Sequence, residues 1–248
     1  MRQGDGVTLR PGPLPTYDWA SASSDLVPVA AIPAGLPALT DPAPGEQPDA
    51  PRPEPGALVQ VAHPRIRLLS AYWHEGWAFA RPTTWLRPEA NDRLITAVDA
   101  LPPGFGLAVW DAWRDPALQA VLHDTVYRDD TLPPGFVAFP DPDPARCPPH
   151  ASGGTVDLTL TWHHTPLSLG TTFDAFVPEA AATALESAGP SHDRDLRRLL
   201  SSVMSEAGFV VHPQEWWHWE YGTRWWAAVT RAPVRYGRTA PDDGANSE

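Results

Sequence analysis

The sequence predicts one main domain that mixes strands with helices and follows a proline-rich extension. Three observations support this prediction. The chain has 248 residues, of which 42% are hydrophobic, so it can bury a substantial core. Its prolines are densest before residue 60, where LPALTDPAPGEQPDAPRPEPGA has little apolar surface to bury. Beyond that point, apolar residues recur with the periods of strands and of helices.

We therefore divide the chain into three parts. Residues 1–60, here called the N-terminal extension, are expected to be poorly ordered or draped over the rest of the protein. Residues 61–235 form the main domain, and residues 236–248 form a polar C-terminal tail.

The first half of the main domain carries clear element signals. LVQVAHPRIRLLSAYW alternates like a strand, and a helix is expected to begin at residues 88–90 and end before residues 102–104. GLAVWDAW, residues 106–113, is typical of a strand. Asp115 and Pro116 then fit the N-cap and first position of the next helix.

The second half is interpreted in the same way. GGTVDLTLTW is predicted to be a strand that carries Asp157, with His150 just before it. Residues 191–209 are predicted to form a helix that ends near Gly208. The segment EWWHWEYGTRWWAAV is predicted to be strand-rich, because its aromatic density and the nearby Pro213 disfavour a helix.

Charge and cysteine content narrow the classes of function. Thirty acidic residues against 18 basic ones give a formal net charge of −12, so no nucleic-acid partner is expected. The single cysteine, Cys147, excludes an intrachain disulfide and a multi-cysteine zinc site. The N-terminus lacks the features of a secretory signal and no stretch approaches the length of a membrane span, so we expect a cytoplasmic protein without a membrane partner.

His150 and Asp157 are candidate metal ligands. Seven positions separate them, and Gly153 and Gly154 between them allow a sharp turn that could bring both side chains to one ion. The same spacing is compatible with an ordinary turn histidine and strand aspartate. Apart from His150 and His218, the other seven histidines show no ligand pattern and are assigned no role.

Glu215 and His218 form the second candidate pair. They stand at i and i+3, and a regular strand would place them on opposite faces. For both to reach one site, Glu215 must lie on the turn before the strand or at a bulge, which Pro213 favours. The alternative is a solvated edge of an aromatic core strand.

These residue types suit a hydrolytic zinc site. Two imidazoles and one carboxylate leave a position open for water, whose pKa zinc lowers toward about 7. Glu215 would take the proton of that water, and Arg114 would stabilise the oxyanion with its permanent charge. Arg114 can equally form a structural ion pair with Asp111 or Asp115.

Several segments resemble a known family. HASGGTVDLTL, GTTFDAF, LRRLLSSVMSEAGF and EWWHWEYG, in this order, resemble the D-alanyl-D-alanine dipeptidases of the VanX type, a family of zinc peptidases. WDAWRDPALQ resembles the arginine-containing segment of the same family, and the resemblance runs from about residue 88 to residue 226. It implies an α+β fold with a central antiparallel sheet flanked by helices, a single zinc site and a small closed pocket for a dipeptide.

The resemblance also implies roles for individual residues. It implies one zinc ion per chain with three ligands: His150, Asp157 and His218. Glu215 would be the catalytic base and Arg114 would stabilise the transition state. Asp174, in GTTFDAF, would bind the ammonium group of the substrate.

The substrate pocket departs from the family pattern. Pro148 replaces a serine, while Ala151 and Ser152 replace a serine and an arginine. We expect zinc-dependent hydrolysis of a small peptide such as D-Ala-D-Ala. One alternative is a zinc carboxypeptidase or amidase acting on cell-wall muropeptides or a peptide-like metabolite. An alternative of another class is a non-catalytic zinc-containing binding module. The sequence makes no prediction of oligomeric state.

Overall fold

Eight strands and five α-helices form the described fold. The computed structural model describes residues 22–53, 58–128 and 135–241, so parts of the N-terminal extension and of the polar tail lie outside the described residues. The strands are β1 Val59–Gln60, β2 Ile66–Leu68, β3 Trp85–Leu86, β4 Phe105–Asp111, β5 Thr155–Trp162, β6 Thr165–Pro166, β7 Val210–His212 and β8 Glu215–Glu220. The helices are α1 Ala71–His74, α2 Pro88–Ala100, α3 Pro116–Val126, α4 His192–Glu206 and α5 Arg224–Thr230. Within these described ranges, every helix is too short or too polar to cross a bilayer.

The central sheet is mixed. Its strand order is β2-β4-β5-β8-β7, with β6 paired to the end of β5, while β1 and β3 form a separate two-stranded sheet. β2 runs parallel to β4, and the other pairs are antiparallel. The parallel pair arises because the chain crosses over through α2 between these two strands. The predicted α+β class is confirmed, and the prediction of an antiparallel sheet is wrong for this pair.

The first two long helices begin where the sequence predicts. α2 starts with Pro88 in its first turn and buries Leu94 and Val98 on one face. α3 follows Asp115, whose side chain accepts a hydrogen bond from the backbone N–H of Ala117 at 2.8 Å. This contact satisfies a backbone donor that the first helical turn leaves free.

The prediction of a strand-rich segment over EWWHWEYGTRWWAAV is wrong for its second half. The first half is strand β8, but the second half is helix α5. Gly222 adopts a φ of +70° after the strand, a left-handed conformation that suits glycine. The hydroxyl of Thr223 then caps the helix by accepting a hydrogen bond from the N–H of Trp226 at 3.1 Å. The indole of Trp226 donates to the carbonyl of Gly208 at 2.9 Å, so capping and packing outweigh the strand preference of the aromatic residues.

The described part of the N-terminal extension lies against the main domain. The backbone N–H of Gly45 donates to the carbonyl of Ala228 at 2.8 Å, and that of Ala50 donates to the carbonyl of Ala145 at 2.9 Å. These contacts join the extension to α5 and to the loop before β5. Residues 1–21 lie outside the described residues, and the predicted division into three parts stays a prediction.

A buried arginine on α4 fixes the loop between β6 and α4. The guanidinium of Arg197 is 2% exposed and donates to the carbonyl oxygens of Leu169, Ala181 and Glu179 at 2.7, 2.8 and 2.9 Å. Burial lowers the pKa of Arg197 to about 10, so the side chain stays charged at neutral pH. This loop carries Asp174, so α4 contributes to the placement of a predicted substrate-binding residue.

We predict that Arg197→Met lowers the free energy of unfolding by about 3 kcal/mol, because three buried carbonyl oxygens lose their donors. Chemical denaturation followed by circular dichroism would measure the change. Arg194→Gln on the same helix is the control, since its ion pair with Asp195 is more exposed and worth less than about 1 kcal/mol. Equal losses in the two variants would contradict the role of Arg197.

Candidate metal centre

The register of the central strands brings two predicted ligands side by side. Asp157 on β5 is directly opposite His218 on β8. On its other side, Asp157 is opposite Asp111 at the end of β4. Directly opposed residues on antiparallel strands have Cβ atoms about 4.5–5.5 Å apart, so their side chains can meet. The sheet itself therefore builds one wall of the site.

His150 reaches the same place from the turn before β5. Gly153 ends this turn with a φ of +74°, and the backbone at Gly154 passes so close to β8 that an added Cβ would lie 2.3 Å from the carbonyl oxygen of Tyr221. The structure thus contains the sharp turn that Gly153 and Gly154 predict. His150, Asp157 and His218 are buried, and one ligand atom from each lies within 4.8 Å of the others. We call these three residues the ligand cluster.

In each of the two imidazoles, one ring nitrogen contacts an oxygen outside the ligand cluster and the other faces Asp157. His150 Nδ1 lies 2.6 Å from the carbonyl oxygen of Ala112, which can only accept, so Nδ1 carries the proton. His218 Nε2 lies 3.0 Å from a carboxylate oxygen of Glu220. The remaining nitrogens, His150 Nε2 and His218 Nδ1, lie 3.2 and 3.0 Å from the two oxygens of Asp157. Such outer hydrogen bonds are typical of metal-bound histidines.

The ligand cluster has the properties of a metal site. Asp157 Oδ1 is buried and, among the described residues, has no partner in hydrogen-bonding geometry, even though His218 Nδ1 is close. An unpaired buried carboxylate oxygen is costly in a protein interior, and a cation between the three side chains would satisfy it. Two imidazoles and a carboxylate suit zinc and several other divalent ions. These residues could therefore hold one divalent metal ion.

The charges of the ligand cluster are strongly coupled. Burial acts to raise the pKa of Asp157, but His150 and His218 hold it well below the usual range. Burial acts to lower the pKa of His218, but its contacts with Asp157 and Glu220 raise it well above the usual value. A metal ion must displace the proton from His218, so we expect metal affinity to rise with pH.

Glu215 lies beside the ligand cluster without belonging to it. It is the first residue of β8, where the pairing with β7 shifts register, the irregularity that the i, i+3 spacing requires. One carboxylate oxygen lies 3.6 Å from His218 Nδ1, and burial raises the pKa of Glu215 to about 8. Glu215 and His218 are 7% and 6% exposed, so they do not lie at a solvated edge.

Arg114 forms the ion pair with Asp111 and also lies beside the ligand cluster. Its Nε donates to Asp111 at 2.7 Å and one terminal nitrogen donates to Gln119 at 2.8 Å, which holds the guanidinium rigidly. The other terminal nitrogen lies 3.5 Å from Asp157. The ion pair with Asp111 therefore presents Arg114 to the site.

Asp174 lines the same pocket as the ligand cluster. Its backbone has a φ of +56°, and its carboxylate accepts a hydrogen bond from the hydroxyl of Tyr72 at 2.8 Å. Burial and the nearby charge of Asp157 raise the pKa of Asp174 to about 7. Tyr72 also lies 3.4 Å from a terminal nitrogen of Arg114, so it links the two residues.

Two neighbouring spaces share Glu215 and His218 in their linings. The smaller, here called the inner pocket, has a volume of about 40 Å³, and all six predicted site residues line it: Arg114, His150, Asp157, Asp174, Glu215 and His218. The larger, here called the outer cavity, has a volume of about 280 Å³. Arg224, His212 and Pro148 line the outer cavity together with Glu215 and His218.

Sequence reasoning missed three contacts in the site. Glu220 stands at i+2 from His218 on a strand, so both share a face, and this spacing could have identified it. Tyr72 and Asp174 are 102 positions apart, and no local signal links them. His212 was assigned no role, yet its ring packs against that of His218 with the centroids 5.4 Å apart.

The fold and the ligand cluster together define the class of the protein. It is an α+β protein in which residues at the central sheet could hold one metal ion. Residues 90–232 match the family model described as D-ala-D-ala dipeptidase. The match covers more than half of the chain, and the chain belongs to this family.

Individual relatives carry the same description. The D-alanyl-D-alanine dipeptidase of Synechocystis is 26% identical over 163 residues, which cover 54% of this chain and 66% of that protein. The Escherichia coli protein of this name is 33% identical over 122 residues, 47% of this chain and 55% of that protein. The Enterococcus faecium protein is 25% identical over 150 residues, 53% and 70% respectively. This chain spans less than two thirds of the length of the first two.

We predict that Glu220→Gln weakens metal binding by about tenfold to a hundredfold, because it removes the carboxylate that fixes and polarises the His218 ring. Competition with a chromophoric chelator would measure the dissociation constant. The exposed Glu206→Gln on α4 is the control for the loss of one negative charge. Equal affinities of the Glu220 variant and the control would rule out the supporting role of Glu220.

Proposed function

We propose that this protein is a zinc-dependent dipeptidase that hydrolyses D-Ala-D-Ala or a similarly small dipeptide. The observation that carries the proposal is the buried ligand cluster with Glu215 beside it, in a small pocket that Asp174 also lines. Membership of the D-ala-D-ala dipeptidase family supports the reaction class.

His150, Asp157 and His218 would hold the zinc ion. When bound, zinc supplies a Lewis acid for the peptide carbonyl and lowers the pKa of a water molecule toward about 7. The residues of the chain orient the substrate and move the protons.

Glu215 is the proposed general base. Its carboxylate takes a proton from the attacking water and returns it to the leaving nitrogen, which departs as an amine. Burial raises the pKa of Glu215 to about 8, and a cation held by the neighbouring ligand cluster would lower this pKa and favour the carboxylate form that acts as the base. Burial keeps solvent from competing for this carboxylate, which is 7% exposed.

Arg114 and Asp174 are proposed to bind the first residue of the dipeptide, at its carbonyl oxygen and at its amino group respectively. Arg114 is preorganised by Asp111 and Gln119, so it can stabilise the developing oxyanion without reorganisation. Asp174, together with Tyr72, is proposed to bind the ammonium group. The inner pocket, about 40 Å³, is the smaller of the two spaces at the site and would hold the amino end of the substrate.

The proposed function is tested by metal analysis of the purified protein and by amino-acid release from D,D-, L,D- and L,L-dipeptides. We expect about one zinc per chain and cleavage of D-Ala-D-Ala that a chelator abolishes and added zinc restores. One bound zinc without cleavage of any dipeptide would contradict the peptidase proposal and favour a binding role.

We predict that Glu215→Gln keeps the metal but lowers kcat by at least about a hundredfold, because the amide cannot accept the proton of the attacking water. Stopped assays and metal analysis on the same preparation separate the two effects. Glu179→Gln, an exposed change between β6 and α4, should leave both unchanged. Undiminished hydrolysis by the Glu215 variant would exclude this residue as the base.

We predict a pH dependence of KM that Asp174 controls. Because its pKa is raised to about 7, its carboxyl group becomes neutral below that pH and loses its attraction for an ammonium group. The substrate amine loses its own charge above about 8, so KM should be lowest between these values. Asp174→Asn should raise KM by about tenfold or more and remove the increase on the acid side. An unchanged acid limb in this variant would assign the titration to another group.

A further inference from the structure

The outer cavity lies where the leaving residue of the substrate would extend. The inference drawn from this position rests on the proposed function. If Asp174 binds the amino end in the inner pocket, the scissile bond lies beside Glu215 and the leaving residue extends into the outer cavity. A dipeptide ends in a free carboxylate, so that carboxylate lies among the residues that line the outer cavity.

Arg224 is the best-placed cation for such a carboxylate. It lines the outer cavity from the first position of α5, and its Nε donates to the carbonyl of Pro48 at 2.8 Å. Within the part of the chain that the structure describes, its guanidinium forms no ion pair with a carboxylate. The terminal nitrogens of Arg224 thus keep their capacity for the fork-like recognition that arginine offers to carboxylates.

The other polar groups of the outer cavity are less suitable. Arg146 lies 3.9 Å from Asp49 in an exposed ion pair. Glu220 is engaged with His218 and Thr223 and has the wrong charge. Asp141 also has the wrong charge, and its carboxylate accepts a hydrogen bond from a backbone N–H at 2.9 Å.

The N-terminal extension holds Arg224 in position. The Pro48 carbonyl that accepts from Arg224 lies between two backbone contacts to the main domain, made by Gly45 and Ala50. Gln47 of the extension itself lines the outer cavity. The extension precedes residues 90–232, which match the family model. The part of the cavity lining that the extension supplies therefore lies outside the matched region.

We propose that Arg224 is a specificity-determining residue, oriented by the N-terminal extension, which recognises the free carboxylate of the leaving residue. The outer cavity, about 280 Å³, is larger than the inner pocket and has room for the leaving residue. The substrate class is therefore a short peptide with an unblocked carboxyl end.

The test compares a dipeptide with its C-terminal amide in the zinc-loaded full-length protein. Arg224→Gln should lower kcat/KM for the free acid by about tenfold to a hundredfold and leave the amide unchanged, so that the preference for the acid disappears. Arg224→Lys should restore part of this preference. Arg231→Gln is the matched control, because Arg231 lies at the end of the same helix and also contacts the extension, at the carbonyl of Ala43, but does not line the outer cavity.

A binding measurement separates this inference from the proposed function. Calorimetry with the same acid and amide is carried out on zinc-loaded Glu215→Gln protein, with and without Arg224→Gln. A preference for the acid that only the Arg224 change removes supports the inference, even if wild-type protein cleaves neither compound. The inference is overturned if the Arg224 variant keeps the wild-type preference, if Arg231→Gln loses it equally, or if neither compound binds.

Discussion

The arrangement of the site depends on one buried carboxylate, that of Asp157, between two imidazoles. A buried charge costs several kcal/mol unless opposite charges and hydrogen bonds surround it. Here His150 and His218 contact one oxygen each, and a terminal nitrogen of Arg114 approaches from the side. The register of β5 with β8 places His218 opposite Asp157, and the turn before β5 adds His150. The site therefore depends on the alignment of these two strands and on that turn.

Much of this arrangement was predictable because it is encoded locally. Proline, a capping aspartate and helical spacing predict α2 and α3, and the glycines at 153 and 154 predict the turn that presents His150. The ligand cluster was predicted partly from donor types and partly from family resemblance. The structure brings the six predicted site residues to one pocket, and their individual roles remain predictions.

The remainder could not be predicted because it depends on tertiary context. The parallel pairing of β2 with β4 follows from a crossover whose path no short segment specifies. In α5, tertiary packing of tryptophans outweighs their preference for strands. Similarly, the proline-rich composition of the N-terminal extension indicates little apolar burial, but it contains no information on which domain carbonyls its N–H groups reach. Tyr72 meets Asp174 only because the fold joins distant parts of the chain.

Strand β8 carries Glu215, His218 and Glu220 within six residues, and its tryptophans are almost completely buried. Any insertion or deletion in this strand would displace the proposed base, a proposed ligand and the carboxylate that contacts it together. The outer cavity, in contrast, is lined largely by loop residues, by α5 and by the N-terminal extension. If the outer cavity receives the leaving residue as proposed, changes in these peripheral segments would alter which leaving groups are accepted without displacing the groups on β8.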